Sequence, residues 1–107
     1  MAKSITDEKI SRLYEGILTL RNAEECRAFF EDLCTVKELQ EMSRRLTAAQ
    51  MLREGKIYAE IAQATGLSTA TICRVNRALR YGNDGYESVL QRLCGDTDGK
   101  EEEKKKE

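Results

Sequence analysis

Apolar residues recur along most of this chain at the three- and four-residue spacing of amphipathic α-helices. The first such segment runs from about Asp7 to Leu20, and Ser4 or Thr6 can cap its start. Its apolar residues form one stripe: Ile10, Leu13, Tyr14, Ile17 and Leu18. A stripe of this kind predicts a helix that buries one face and exposes the other.

Two more helices are predicted in the first half of the chain, over residues 22–33 and 35–53. The later one starts with a capping box, because the side chains of Thr35 and Glu38 can each bond the other residue's backbone N–H group. Gly55 follows its last apolar position and marks its end. The inner face of the earlier helix is predicted to consist of Cys26, Phe29, Phe30 and Leu33.

Residues 58–81 predict two short helices joined by a tight turn. The helices cover about 58–65 and 69–80, and the turn is Gly66-Leu67-Ser68. Gly66 stands where the first helix must reverse, a place that favours the positive φ open to glycine. The residues predicted to face inward are Ile61, Ala62, Leu67, Ile72, Val75 and Leu79. This pattern is typical of a helix-turn-helix, whose second helix enters the major groove of DNA.

A last helix is predicted over about 86–93, after a turn at 82–85, and the segment 95–107 has no apolar residue. We therefore expect one helical domain over residues 1–94 and a disordered, charged tail from 95 to 107. The chain has no proline, and helix-forming residues predominate. These features predict an all-α fold of about six helices.

The sequence gives little support for a metal site or for acid–base catalysis. It has no histidine, and its four cysteines form no Cys-x-x-Cys pair, which argues against the common zinc sites. The absence of histidine also removes the commonest general base. We expect the cysteines to serve as small apolar residues, and we predict no enzyme activity, no cofactor and no metal site.

No apolar run is long enough to cross a membrane, and the first residues lack the apolar core of a signal peptide. We therefore expect a cytoplasmic protein with no membrane partner, associated with the nucleoid when it is bound to DNA.

The net charge of −1 hides an uneven distribution of charged residues. Residues 1–40 carry six basic and eight acidic side chains, residues 41–94 carry eight and five, and the tail carries four and six. No acid lies between Ser68 and Arg80. The positive charge is thus concentrated around the predicted DNA-reading helix, which matters more for nucleic-acid binding than the average does.

The outward face of that helix supplies most of the candidate DNA contacts. The backbone N–H groups near Ser68 and Thr69 can bind a phosphate with help from the helix dipole. Thr69, Ala70 and Cys73 are predicted to contact base edges and thymine methyl groups. The basic residues predicted to neutralise phosphates are Arg77, Arg80, Arg53 and Lys56. With ~4 phosphates per subunit, the log affinity of a dimer should fall with log salt at a slope near −7.

Three other side chains have two interpretations each. Arg74 contacts either a phosphate or an acidic neighbour. Tyr58 either donates to a phosphate or packs at the start of its helix. Asn76 either reaches an adenine or caps a backbone group. The motif as a whole also has an alternative function, as a helical protein–protein interaction module without specific DNA binding.

The apolar stripes of the first three helices are larger than a domain of about 90 residues can cover by itself. Pairing with a second copy would cover them, and it would place two reading helices at the half-sites of a palindromic operator in double-stranded DNA. The alternative is a monomer with a compact core.

Residues 35–81 resemble the Trp repressor-like family, and the match extends more weakly to both sides. The residues that carry the resemblance are Thr35, Glu38, Arg45, Leu46, Leu52, Gly55, Ile61, Gly66, Ala70, Thr71, Ile72, Arg74 and Leu79. The resemblance implies an all-α, intertwined homodimer, in which the early helices of both subunits interlock and the helix-turn-helix units project as DNA-reading heads. It also implies a transcription regulator, expected to be a repressor.

In the tryptophan-responsive members of that family, two arginines and a threonine hold the indole ring of the corepressor. The matching positions here are Arg45, Thr71 and Arg74, with Arg44 as an alternative to Arg45. The residue after the second arginine is glycine in those repressors and Val75 here. An indole pressed against this branched side chain would meet a cost of ~1–3 kcal/mol or more. We therefore predict that tryptophan does not bind usefully, and the sequence leaves open whether another effector does.

Overall fold

The computed structural model describes residues 7–95, and within them it contains six α-helices and no β-strand. The helices are α1 (Glu8–Ile17), α2 (Ala23–Leu33), α3 (Val36–Arg53), α4 (Tyr58–Thr65), α5 (Thr69–Tyr81) and α6 (Gly85–Cys94). This confirms the predicted all-α fold and the order of its helices. None of the helices in the described part is long and apolar enough to cross a membrane. The predicted tail lies, from residue 96 on, outside the described residues.

The chain divides into two compact units, and the division falls inside α3, between Met42 and Ser43. The first unit contains α1, α2 and the start of α3. The second contains the rest of α3 with α4, α5 and α6, so the whole helix-turn-helix lies in the second unit.

The ends of α1 differ from the prediction. Asp7 caps the helix, because its Oδ1 accepts from the N–H groups of Lys9 (2.7 Å) and Ile10 (3.3 Å). The predicted caps, residues 4 and 6, lie outside the described residues. The helix ends at Ile17 rather than residue 20, and the Thr19 hydroxyl and N–H both donate to the Gly16 carbonyl. This local bonding satisfies the last turn and stops the helix early.

The predicted capping box of α3 is present. The Thr35 N–H donates to the Glu38 carboxylate (2.8 Å), and the Glu38 N–H donates to the Thr35 hydroxyl (3.1 Å). At the start of α2, the Asn22 side chain accepts from the Glu25 N–H (2.9 Å). The Glu25 carboxylate binds the backbone and guanidinium of Arg21 and not the Asn22 N–H, so α2 starts with a single cap and no full capping box.

None of the described residues of the first unit, 7–42, is buried. Several large apolar side chains there are half or more exposed, including Tyr14 (53%), Leu18 (83%) and Val36 (70%). Phe29 and Phe30 meet edge to face, with ring centroids 5.5 Å apart. Cys26, predicted to face inward, is exposed, and none of the four cysteines is buried. The apolar stripes of these helices therefore remain uncovered within the described chain.

The buried core belongs to the second unit. It consists of Ala48, Ala49, Leu52, Ile61, Leu67, Ile72, Val75, Leu79 and Leu90. Five of the six residues predicted to face inward from the helix-turn-helix are among them, and the sixth, Ala62, is partly buried against them. Residues from α3 to α6 all contribute, so the core fixes the inner face of α5 and leaves its outer face to solvent.

Candidate nucleic-acid interface

The turn between α4 and α5 is built as the sequence predicts. Gly66 has φ +76°, and its N–H donates to the Ala62 carbonyl (2.8 Å). Thr65, which sequence reasoning did not single out, is buried, donates to the Ile61 carbonyl (2.7 Å) and accepts from the Leu67 N–H (3.2 Å). These bonds satisfy the backbone of the reversal and set the direction in which α5 leaves it.

Ser68 caps the start of α5. Its hydroxyl accepts from the Thr71 N–H (3.1 Å) and donates to the Thr71 hydroxyl (3.1 Å). Because the third N–H of the helix is thus occupied, the groups that remain for an anion are the N–H groups of Thr69 and Ala70. The predicted phosphate position near Ser68 and Thr69 stays a prediction, which the cap on the third N–H extends to Ala70.

The predicted outward residues of α5 do lie on its exposed side. Thr69, Ala70, Cys73, Arg74 and Arg77 are all exposed. Neither arginine donates to another side chain among residues 7–95. These five side chains share one face, opposite the buried core residues of the same helix, and no carboxylate stands on that face. The face can therefore offer two uncompensated cations and three small side chains to a ligand.

Lys56 and Tyr58, which precede and begin α4, differ in exposure. Lys56 is exposed, and its backbone N–H donates to the Met51 carbonyl (3.0 Å) in the turn after α3. Tyr58 is half-buried and packs against the core, which supports the packing interpretation of this residue. The Glu60 carboxylate accepts from the Ile57 N–H (3.3 Å) and so caps α4.

Arg80 and Asn76 are bound to each other. The Arg80 Nε donates to the Asn76 Oδ1 (3.2 Å), and the Arg80 Nη2 donates to the Leu52 carbonyl (3.3 Å) at the end of α3. The Asn76 Oδ1 is thus engaged by Arg80, a contact that neither interpretation of this side chain predicts. The guanidinium of Arg80 ties α5 to α3.

The expectation that Arg53 contacts a phosphate is wrong for this structure. Its side chain is 7% exposed, and its guanidinium donates to both carboxylate oxygens of Glu87 in α6, at 3.0 and 2.9 Å. The hydrogen bond from Arg53 holds the pKa of Glu87 below its ordinary value, against an opposing effect of burial; the charges of Arg53 and Arg80 lower it further. The two residues are 34 positions apart, so no local sequence pattern predicts this pair.

The residues that match the indole-holding positions have different surroundings. Arg45 and Thr71 are half-buried, whereas Arg44 and Arg74 are exposed. The next residue, Val75, is 3% exposed and belongs to the buried core. Within residues 7–95, no group of three or more Cys, Asp or Glu side chains could hold a metal ion.

This chain is similar to known proteins in sequence and in fold. The sequence profile of the family described as Trp repressor protein matches residues 8–94. YerC of Bacillus subtilis (strain 168), itself uncharacterized, is 51% identical over 86 residues, which are 80% of this chain and 83% of YerC. The crystal structure of a TrpR-like protein from Eubacterium eligens ATCC 27750 is 49% identical, with a TM-score of 0.76 over 81% of this chain and 90% of that one. A candidate Trp repressor from Staphylococcus aureus is 49% identical, with a TM-score of 0.79 over 86% of this chain and 92% of its own.

Proposed function

Because this chain belongs to the Trp repressor protein family, we propose that it is a sequence-specific DNA-binding transcription regulator, a repressor that acts as a homodimer. The observation that carries the proposal is the two-sided character of α5. One side is fixed in the core by Ile72, Val75 and Leu79, and the other exposes small and basic side chains without an acid. A helix of this kind can lie in the major groove without losing contact with its own domain.

The exposed residues divide into two kinds of contact. Thr69, Ala70 and Cys73 are short, so they let the helix approach base edges and thymine methyl groups closely. The N–H groups of Thr69 and Ala70 bind a phosphate at the helix start. Arg74, Arg77 and Lys56 neutralise further phosphates, which adds affinity but little sequence information.

Half-buried Tyr58 contributes at the edge of this surface, where its hydroxyl can bond a phosphate while its ring stays packed. Ser68 contributes through the cap that orders the start of α5.

The uncovered apolar surface of both units supports the proposed homodimer. The first unit has no buried residue among those described, although its helices carry large apolar side chains. The second unit has an open apolar groove of about 460 Å³ beside its core, lined by Leu46, Ala78, Asn83, Gly85, Tyr86 and Val89. A second copy of the chain would remove such surfaces from water, at roughly 25 cal/mol per Å² of apolar area.

Selection from a randomised DNA duplex library tests the proposal. The wild-type protein should enrich a palindromic sequence and retard it in gels in the presence of excess random duplex. With about three side-chain phosphate contacts per subunit, the dimer's log affinity should fall with log salt at a slope of about −5, which is shallower than the value expected from the sequence. If no sequence is enriched and binding is salt-insensitive, the alternative, a helical protein–protein interaction module, takes its place.

A further inference from the structure

The C-terminal turn of α3 is the place where α5 and α6 are both attached by polar contacts. The Leu52 carbonyl there accepts from Arg80 of α5, and the neighbouring residue, Arg53, donates to Glu87 of α6.

Arg80 is well suited to hold α5 at this place. The last carbonyl groups of a helix carry partial negative charge, and a cation there is favourable. The Leu52 carbonyl is one of these groups, and it accepts from the Gly55 N–H (3.0 Å) as well as from Arg80. The planar guanidinium of Arg80 reaches the Leu52 carbonyl with Nη2 while Nε binds Asn76 on its own helix. The side chain is thus held at two points and spans from one helix to the other.

The Arg53–Glu87 pair holds α6 at the same turn. Both carboxylate oxygens accept from the guanidinium, and the Arg53 side chain is only 7% exposed. A two-point bond of this kind fixes orientation as well as distance. Glu87 also lies near enough to Arg80 for the charge of Arg80 to lower its pKa. The two contacts are therefore electrostatically connected.

We propose that Arg80, Arg53 and Glu87 form a clamp that positions α5 on α3 and thereby sets the fit of its exposed face to a preferred DNA sequence. The three residues act as positioning residues and leave the phosphates to Arg74, Arg77 and Lys56. This proposal rests on the proposed DNA-binding function. In the clamp, Arg80 keeps its place among the functional residues, with a role different from the phosphate contact expected from the sequence.

Lysine substitutions separate an arginine that neutralises a phosphate from one that positions a helix. Lysine binds phosphate as a point charge but lacks the planar fork. We expect Arg80→Lys to lower affinity for the enriched duplex about tenfold, the size of one charged hydrogen bond, and to leave affinity for a random duplex and the salt slope unchanged. For the matched variant, Arg77→Lys, the affinity for the enriched duplex and the affinity for the random duplex should fall equally.

Glu87→Gln provides a test whose sign is informative. Loss of a negative charge should by itself raise affinity for DNA, whereas a loosened clamp lowers affinity for the enriched duplex. Glu54→Gln is the control, since Glu54 follows α3 and bonds only Gln50 among the described side chains. All variants are compared at a temperature where circular dichroism shows wild-type helix content. The clamp is overturned if Arg80→Lys affects both duplexes equally, or if Glu87→Gln raises affinity as Glu54→Gln does.

Amide hydrogen exchange of the full chain without DNA keeps the clamp testable if the wild type selects no sequence. In that case the proposed function fails. The clamp still predicts faster exchange along α5 in Arg80→Lys and Glu87→Gln than in Arg77→Lys. Equal exchange rates in the three variants would reject the clamp independently of any DNA binding.

Discussion

Four arginines around α5 look alike in the sequence and differ in what surrounds them. Arg74 and Arg77 are exposed and donate to no side chain among the described residues. Arg53 is bound in two places to Glu87, and Arg80 is bound to two acceptors of its own domain. The carboxylate of Glu87 compensates the charge of Arg53, whereas Arg80 is exposed and binds two neutral carbonyl oxygens. Arg80 therefore keeps its charge but is held to its own domain, and Arg74 and Arg77 are the two whose guanidinium groups stay unattached to other described side chains.

Removal of one phosphate contact should appear mainly in the salt dependence of binding. For Arg77→Met we expect weaker binding to every duplex and a salt slope shallower by about 2 for the dimer, one unit per subunit. Fluorescence anisotropy at several salt concentrations measures this slope. Arg27→Met removes the same charge from exposed α2 and serves as the control. An unchanged slope in Arg77→Met would remove this residue from the interface.

Val75 decides the prediction about tryptophan. Its side chain is 3% exposed and packed in the core, where glycine would leave room. An indole beside it would meet an overpacking cost of ~1–3 kcal/mol. Isothermal titration with L-tryptophan should therefore give no more heat than titration with L-leucine. Micromolar tryptophan binding would contradict the prediction and would reopen Arg45, Thr71 and Arg74 as a ligand site.

At the scale of the elements, the helix-turn-helix depends on a backbone reversal that side chains only support. Gly66 takes φ +76°, while Thr65 and Ser68 bond the backbone on either side of it. Nothing lies within 4 Å of where a Cβ on Gly66 would stand, so the demand for glycine here is conformational rather than steric.

Two glycine-to-alanine substitutions should therefore have opposite effects. Gly66→Ala should lower the free energy of unfolding by about 1–2 kcal/mol, because alanine is disfavoured at positive φ. Gly16→Ala, inside α1 and equally unobstructed, should raise it by up to about 1 kcal/mol, because alanine is the better helix former. Urea denaturation at one protein concentration measures both. A neutral or stabilising Gly66→Ala would contradict the role assigned to this turn.

The attachment of α6 to α3 should weaken in acid. The hydrogen bond from Arg53 lowers the pKa of Glu87 below its ordinary value of 4.5. The carboxylate therefore stabilises the fold fully at pH values above 4.5, and this contribution is lost as the pH falls through the lower pKa of the folded state. The side chain is 45% exposed, so solvent screening keeps the effect small. As the pH falls from neutral to below 4.5, the unfolding temperature should drop less for Glu87→Gln than for the wild type. If the unfolding temperatures of the two proteins fell in parallel, the carboxylate of Glu87 would not contribute to stability.

At the scale of the whole molecule, buried and exposed apolar residues are distributed very unevenly. Every core residue belongs to the second unit, and residues 7–42 include none. A helical segment with no core of its own gains little from folding by itself, since packing of an apolar face supplies most helix stability in proteins. The homodimer proposed above gives these helices a surface to pack on.

The dimer can be tested through one exposed leucine. The wild-type chain of 12.2 kDa should sediment at about twice that mass. Leu18 is 83% exposed, so Leu18→Asp should cost an isolated subunit little while placing a charge in the dimer contact. Analytical ultracentrifugation should then show a shift toward the single-chain mass. Ser11→Asp, inside α1, is the control, and a fully dimeric Leu18→Asp would exclude the C-terminal end of α1 from the contact.

Much of this fold could be predicted because the signals that specify it are local. The apolar periodicity placed all six helices, and the limits of α4 agree to the residue. The box of Thr35 and Glu38 and the reversal at Gly66 involve neighbours within four positions, so they are visible in the sequence. The overlong prediction for α1 had a local cause as well, because Thr19 bonds the preceding turn and ends the helix.

By itself, then, the sequence of this Trp repressor family member determined its helices, its turn and which side of α5 faces the core. Only the tertiary structure decided which cations remain available. Arg53 and Glu87 are 34 residues apart, and Arg80 and Leu52 are 28 apart. Hydrophobic periodicity repeats every few residues and therefore leaves a local pattern. A salt bridge or helix cap between distant segments depends on how three helices pack, and no short stretch of sequence contains that information.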